Sequence, residues 1–310
     1  MAIVVIGAVF VDVKGFPYDK YIPDGRNAGN VLTVHGGVGR NVAEDIANIG
    51  LGPKFVSLVD DDAQGEEVVK RLRKHHVNTD YVLPTKDGMG VWLAIFDETG
   101  DIVASISKRP DPKEIARLIE EKGDEIFADC DSIVIEVCLD AELVETVFRF
   151  AKKYGKKVYG VVANISIAIQ RRDLIKSLAC FVCNLEEAEL LFVERLAGLS
   201  HRELCEKLSE KVNNSQIPAM VVTLGALGAV YASMSGEKGH VPAERVVVRD
   251  TTGAGDAFCA GVSVGLTYGI SLAEAVKIGT RLAAMVITSS ENTCPRFLPK
   301  ELGLDVESEE

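Results

Sequence analysis

The sequence predicts an α/β fold, a doubly wound and mostly parallel sheet with a small β-sheet lid beside it. Three observations lead there. Short apolar runs alternate with helix-period stretches along most of the 310 residues. Several of those runs are continuous in Val and Ile, as parallel strands covered on both faces require. Two regions, about 13–35 and 88–106, break the rhythm and carry β-formers and turn residues instead.

Taken in order, the strands are expected at 3–6, 55–59, 133–135, 158–162, 181–183 and 220–223. Helices are expected at 40–49, 63–75, 141–154, 185–196, 202–213, 255–268 and 272–288. Ser271 with Glu274 has the spacing of a capping box at the start of the last helix. Strand and helix in repeated alternation mean crossover units, hence a doubly wound sheet. Val91-Trp-Leu-Ala-Ile-Phe96, then Asp97-Glu-Thr-Gly100, then 102–106 reads as a hairpin. With 13–35 it would make a second sheet, either a lid over a site or an ordinary edge hairpin. The whole chain, 1–310, is expected to be one domain of this kind. The acidic tail, 305–310, is expected to be disordered.

A formal charge of −12 argues against a nucleic-acid partner, which would want a basic face. No run reaches the length of a membrane span. The N-terminus, Met1-Ala-Ile-Val-Val-Ile-Gly7, lacks a basic n-region and reads as a buried strand. Seven cysteines, an odd number, fit a reducing cytoplasm. Cys180 and Cys183 are the one C-x-x-C pair, and on a strand that spacing points them to opposite faces. They read as core residues, not as a metal site.

The chemistry concentrates in Asp250-Thr-Thr-Gly-Ala-Gly-Asp256. Gly253 and Gly255 let the backbone turn so that several N–H groups, Ala254's among them, point one way. The apolar stretch that follows reads as a helix, so these amides stand at its positive end. Such a nest suits a phosphate, and Asp256 one residue on is placed to accept a hydroxyl proton. The plainer alternative is that Asp256 caps a helix. The string is not a Walker A loop, since the Gly-Lys-Ser/Thr ending is absent. A second cluster, His35-Gly-Gly-Val-Gly-Arg-Asn41, precedes another helical stretch. Gly36 and Gly37 would let backbone approach a ligand and Asn41 offers donor and acceptor, although a tight strand-to-helix turn needs the same residues. Asp12 follows the first strand by a few residues; a lone Asp there can be a turn residue, but strand carboxyl ends are where α/β sheets bind ligands.

These two segments resemble the two signatures of the ribokinase, or PfkB-type, family of sugar and nucleoside kinases, and the likeness runs from Asp12 to about Pro295. The resemblance implies a ribokinase-like domain and transfer of the ATP γ-phosphate to a hydroxymethyl group. It implies Asp12, Gly36, Gly37 and Asn41 on the substrate, Gly253, Ala254 and Gly255 as an anion hole, and Asp256 as base. Asn184-Leu-Glu-Glu187 is similar to the family's Asn-x-x-Glu motif. That similarity implies Asn184 near the nucleotide and Glu187 on Mg²⁺ through water; a helix-start acid is the alternative. Thr223-Leu-Gly-Ala-Leu-Gly228 resembles the segment that lines ATP, with Thr223, Gly225 and Gly228 as contacts, or else it is a hairpin turn. Asp250 and Thr252, with carbonyls of the 288–295 loop, match a monovalent-cation site, implying K⁺. A homodimer through the lid is also implied.

Within the family the N-terminal third is most similar to pseudouridine kinases, so pseudouridine is the expected acceptor. Met89, Val91 and Trp92 are candidates for an apolar base slot. Two departures bear on the substrate: Ala163-Asn-Ile-Ser166 replaces an expected Asp-Pro-Val-Ser, and Glu136 stands where a shorter Asp is expected. A free-sugar kinase for ribose or a ketose, and a non-catalytic regulator on the same fold, are the competing readings. A Rossmann dehydrogenase is excluded because no G-x-G-x-x-G follows the first strand.

Overall fold

The computed structural model describes residues 1–304, so the 305–310 tail lies outside the described residues. The strands are β1 (Ile3–Ile6), β2 (Phe10–Pro17), β3 (Gly29–Gly36), β4 (Lys54–Asp60), β5 (Asn78–Thr85), β6 (Gly90–Phe96) and β7 (Ile102–Lys108). They continue with β8 (Ser132–Glu136), β9 (Lys157–Val161), β10 (Cys180–Asn184), β11 (Ala219–Thr223), β12 (Ala229–Ser233) and β13 (Lys238–Val241). The helices are α1 (Val38–Asn48), α2 (Ala63–Lys74), α3 (Lys113–Phe127), α4 (Ala141–Tyr154) and the short α5 (Ile165–Ala168) and α6 (Arg172–Ile175). After them come α7 (Leu185–Phe192), α8 (His201–Ser215), α9 (Ala254–Thr267) and α10 (Leu272–Ile287).

A nine-stranded sheet runs in the order β13-β12-β11-β10-β9-β8-β1-β4-β5. Its pairs are parallel from β5 through β11, and the β11–β12 and β12–β13 pairs are antiparallel. Strand residues alternate between two cores. Ile3, Val5, Cys180 and Val182 pack on the side of α1, α2, α9 and α10, while Val4, Ile6, Phe181 and Cys183 pack on the side of α3, α4, α7 and α8. Burial on both faces is why the central strands read as unbroken apolar runs. It also sends Cys180 and Cys183 to opposite faces, and all seven cysteines are free and buried. Among the described residues no helix is long and apolar enough to cross a membrane.

The two irregular regions form a four-stranded sheet, β3-β2-β6-β7, with β2 parallel to β6 and the other pairs antiparallel. The β6–β7 hairpin closes through Asp97, whose carboxylate accepts the N–H groups of Thr99 and Asp101 at 2.9 Å each.

Several elements differ from expectation. β5 carries Asp80 and Pro84, which hide a strand in the sequence but are tolerated at a sheet edge. β12, β13 and α3 were also not anticipated; α3 buries Ile115, Leu118, Ile119, Ile126 and Phe127 despite Gly123 in its middle. α7 stops at Phe192, short of 196, because Val193 turns left-handed and the Glu189 carboxylate accepts the Leu196 and Ala197 amides at 2.6 Å. At α10 only half the capping box forms: Ser271 accepts the Glu274 N–H, while the Glu274 carboxylate pairs with Lys277.

The α3–α4 layer rests on Phe127, fully buried and stacked on Phe150 with ring centroids 5.5 Å apart. Phe127→Ala is expected to cost about 3–5 kcal/mol, read as a lower urea midpoint with an unchanged slope.

Candidate functional site

Open α/β sheets bind ligands at the carboxyl ends of their strands, and the charged groups of this chain gather there. A cavity of about 770 Å³ lies between the two sheets. Asp12 and Trp92 reach it from the small sheet, Gly37 and Asp256 from two helix starts, and Glu136 and Arg109 from the β8 end and the stretch after β7.

Asp256 lies in the first turn of α9, whose N-cap Gly253 is left-handed at φ 83°. A β-carbon at Gly253 would fall 2.0 Å from the Asn292 carbonyl oxygen, so both the conformation and the contact require glycine. The Ala254 N–H is taken by the Thr251 carbonyl at 3.2 Å. Among the described residues the Gly253 and Gly255 amides have no such acceptor. A β-carbon at Gly255 would meet nothing within 4 Å, so the helix start opens onto room that an anion can fill. The Asp256 carboxyl is half-buried, and burial raises its pKa to about 7 against the Asn41 hydrogen bond that lowers it; Glu136 adds a smaller upward push.

Behind Asp256 stands a chain of buried polar groups. Asn41 Nδ2 donates to Asp256 Oδ2 at 2.7 Å. Arg40 Nη1 donates to Asn41 Oδ1 at 2.7 Å, which fixes the amide's orientation, and its Nη2 pairs with Glu44 at 2.7 Å. Glu44 is fully buried and also receives Arg71 and the Thr293 hydroxyl. Burial would raise its pKa, yet the two guanidiniums hold it below the ordinary glutamate value. Asn41 thus faces the carboxyl of Asp256 first, where the sequence suggested only substrate contacts.

On β2, Asp12 and Lys14 are two residues apart and share one face, and both are buried. A β-carbon on Gly36 would lie 2.5 Å from Asp12 Oδ2, so the Asp12 carboxylate rests directly on the glycine backbone. Burial raises the Asp12 pKa, with Lys14 and Arg40 pulling the other way. Lys14 Nζ donates to Thr252 Oγ1 at 3.3 Å, joining the small sheet to the glycine loop. Glu136 ends β8 buried, accepts the Ala8 N–H at 3.1 Å, and is pushed up in pKa by burial.

The other expected residues lie apart from the cavity lining. Asn184 and Thr223 are register partners at the ends of β10 and β11. Asn184 and Glu187 make a complete capping box, each accepting the other's backbone N–H at 2.8 Å. Gly225 and Gly228, both at positive φ, form the turn between β11 and β12. Asp250 accepts the Thr252 N–H at 2.8 Å, and Asn292 of the 288–295 loop abuts Gly253. Of the three residues suggested for a base slot, Trp92 lines the cavity, Val91 is half-buried and does not, and Met89 is fully buried in the core. Ser105, Ser107 and Arg109 line the cavity and were not anticipated, while Ala163, Asn164 and Glu136, from the two departures that bear on the substrate, line it as well. Lys14 was also missed, although its spacing from Asp12 on a strand signals a shared face.

A family profile described as "pfkB family carbohydrate kinase" matches residues 2–296. The chain is 36% identical over 292 residues to a guanosine-inosine kinase of Exiguobacterium acetylicum, covering 94% of this chain and 95% of that one. It is 25% identical over 294 residues to the pseudouridine kinase of Escherichia coli K12, covering 94% and 92%. Its fold is similar to Arabidopsis thaliana ribokinase complexed with ribose and ATP, with a TM-score of 0.82, 19% identity and 97% of each chain covered.

The environment of Asp256 has a consequence for stability. Its folded pKa of about 7 lies above the ordinary 3.8, so the folded state favours the protonated carboxyl. That contribution is complete at acid pH and is lost as pH rises toward 7. Asp256→Asn, which keeps the shape without the charge, should therefore gain thermal stability over wild type as pH increases, levelling off above about 7. Melting curves from pH 5 to 8.5 measure this; a gap that shrinks with pH would contradict it.

Proposed function

This chain belongs to the pfkB family of carbohydrate kinases, and on that footing we propose that it transfers the γ-phosphate of ATP to the 5′-hydroxymethyl group of a nucleoside. The observation that carries the reading is one cavity that joins Asp256, beside an open helix N-terminus, to a chamber roomier than a pentose needs. In this reading the small sheet is a lid on a single ribokinase-like domain.

Asp256 accepts the proton of the attacking hydroxyl, and Asn41, held by Arg40, aims the carboxylate. A base with pKa near 7 suits proton transfer at neutral pH. The Gly253–Gly255 turn and the α9 start receive the charge that gathers on the phosphoryl oxygens. Asp12, seated on Gly36, takes the sugar hydroxyls with Gly37 and the remaining Asn41 N–H. Asn184, Thr223, Gly225 and Gly228 border the nucleotide. Mg²⁺ when bound neutralises the phosphates; Glu187, half-buried and with one oxygen beyond its capping bond, would hold it through water. K⁺ would be held by Asp250, Thr252 and carbonyls of the 288–295 loop.

The 36% relative favours inosine or guanosine as acceptor. A second reading, pseudouridine, is favoured by the runs Asp12-Val-Lys-Gly, Asn27-Ala-Gly29 and His35-Gly-Gly-Val-Gly-Arg-Asn-Val-Ala43. Trp92 gives a base an apolar wall, and Arg109 and Asn164 give it polar edges.

ADP release with Mg-ATP and K⁺ on inosine, guanosine, pseudouridine, uridine, adenosine, ribose and fructose tests the proposal. Turnover on nucleosides but not free sugars is expected, rising with pH to a plateau above about 7. Asp256→Asn should lose about 10²–10⁴-fold in kcat with ATP binding kept. Turnover on ribose or fructose alone would replace the substrate class, and a fully active Asp256→Asn would remove the base. The outer face of the small sheet exposes Val31, Leu93, Ile102 and Ile106, which fits a second copy of this chain. Sedimentation at micromolar protein should find a dimer; a monomer would refute that pairing.

A further inference from the structure

Lys14 is 8% exposed, and among the described residues its ammonium has one hydrogen bond, to the Thr252 hydroxyl, and no ion pair within 4 Å. An ammonium carries three N–H donors, so two are left over. Burying a cation without an anion beside it is costly. Its charged surroundings are the carboxylates of Asp12 and Asp250, both close enough to feel it.

The other cations near the cavity are differently placed. Arg40 is committed to Glu44 and Asn41, and Arg109 belongs to the exposed rim. Lys14 is thus the one buried, unpaired cation described at the mouth of the Asp250–Asp256 loop. Three carboxylates, of Asp12, Glu136 and Asp256, line the cavity where a further anionic group must arrive if the kinase reading is right, and a fourth, of Asp250, lies within reach of the Lys14 charge.

We propose that Lys14 is a catalytic residue, whose ammonium swings from Thr252 or extends past it to donate hydrogen bonds to the phosphoryl group in transit. The inference rests on the kinase reading. In the step, the bond from the γ-phosphorus to the ADP oxygen breaks and a bond to the acceptor oxygen forms. The acceptor proton passes to Asp256, and Lys14 keeps all its protons. Because Lys14 comes from the small sheet and Thr252 from the glycine loop, the charge is in place only when the two are docked. Closure over a substrate therefore arms the phosphate site, which restrains transfer to water.

The test uses the full chain as wild type, Lys14→Met, Lys14→Arg and Asp256→Asn, measured for kcat, KM of the nucleoside and affinity for ADP. A fourth readout is inhibition by ADP with aluminium fluoride, which stands in for the moving phosphoryl group. Lys14→Met should lose about 10²–10³-fold in kcat, the cost of removing one such donor. Nucleoside KM and ADP affinity should hold, the ADP–aluminium fluoride complex should weaken in parallel with kcat, and Lys14→Arg should restore part of the loss. If Lys14→Met does not fold, Lys14→Gln, polar but uncharged, carries the same test. Wild-type kcat in the Met variant overturns the proposal. So does a raised nucleoside KM at unchanged kcat, the mark of a substrate-hydroxyl contact. So does a lost kcat with aluminium fluoride inhibition intact, the mark of a mere tether. Wild type inactive on every acceptor, with Asp256→Asn indistinguishable from it, would instead bring down the kinase reading and this proposal with it.

Discussion

The contact between Asn41 and Asp256 is the constraint on which the site depends. It joins the first turn of α1 to the first turn of α9, elements 215 positions apart in sequence. For the amide to donate to Asp256 its oxygen must face the other way, and Arg40 receives it there. Arg40 can be buried only because Glu44 neutralises it, and Glu44 only because Arg71 and Thr293 complete its bonding. Each buried polar group makes the next tolerable, and a partly satisfied chain would cost more than an apolar one. The loop after α10 is drawn in as well. Asn292 donates to the His35 carbonyl and presents its own carbonyl to Gly253, which locks the turn that starts α9.

Charge sets a second condition. A chain at −12 that gathers Asp12, Glu136 and Asp256 around one cavity repels the anionic group a kinase must hold. Burial answers part of this: it raises the pKa of all three carboxyls, and at Asp256, pushed up to about 7, this lowers the negative charge present at neutral pH. Backbone amides at the α9 start answer another part without adding a side chain that titrates. Lys14 is the remaining positive element, and its seat on the small sheet makes the electrostatics depend on how the two sheets meet.

The parts of this arrangement readable from sequence are the local ones. The central strands announce themselves because burial on both faces leaves no alternation to misread. The Asp250–Asp256 string carries its own geometry, a left-handed glycine followed by an apolar helix. Edge elements were harder: Pro84 and Asp80 are permitted in β5 because one side of the strand has no neighbour, a fact fixed by strand order. The partner of Asn41 was equally hidden, since only packing of α1 against α9 turns the amide toward Asp256. Arg109, Ser105 and Ser107 carry no spacing signal, because they meet the large sheet only across the gap between the sheets.

This split has a functional logic. Groups proposed for phosphoryl transfer sit on helix starts and strand ends of the large sheet, where packing leaves little freedom. Groups facing the far end of the cavity sit on β7, on the stretch after it and on the turns near Cys138 and Asn164. Exchanging Ser105, Ser107 or Arg109 disturbs no element start and no buried ion pair, whereas Asp140 and Asn164 also hold the first turns of α4 and α5. Glu136 marks the border between the two. Its carboxylate reaches back to the Ala8 amide at 3.1 Å and feels the positive charge of Arg109 on the rim. Discrimination among acceptors can therefore be adjusted at the rim while the chain from Glu44 to Asp256 stays as it is.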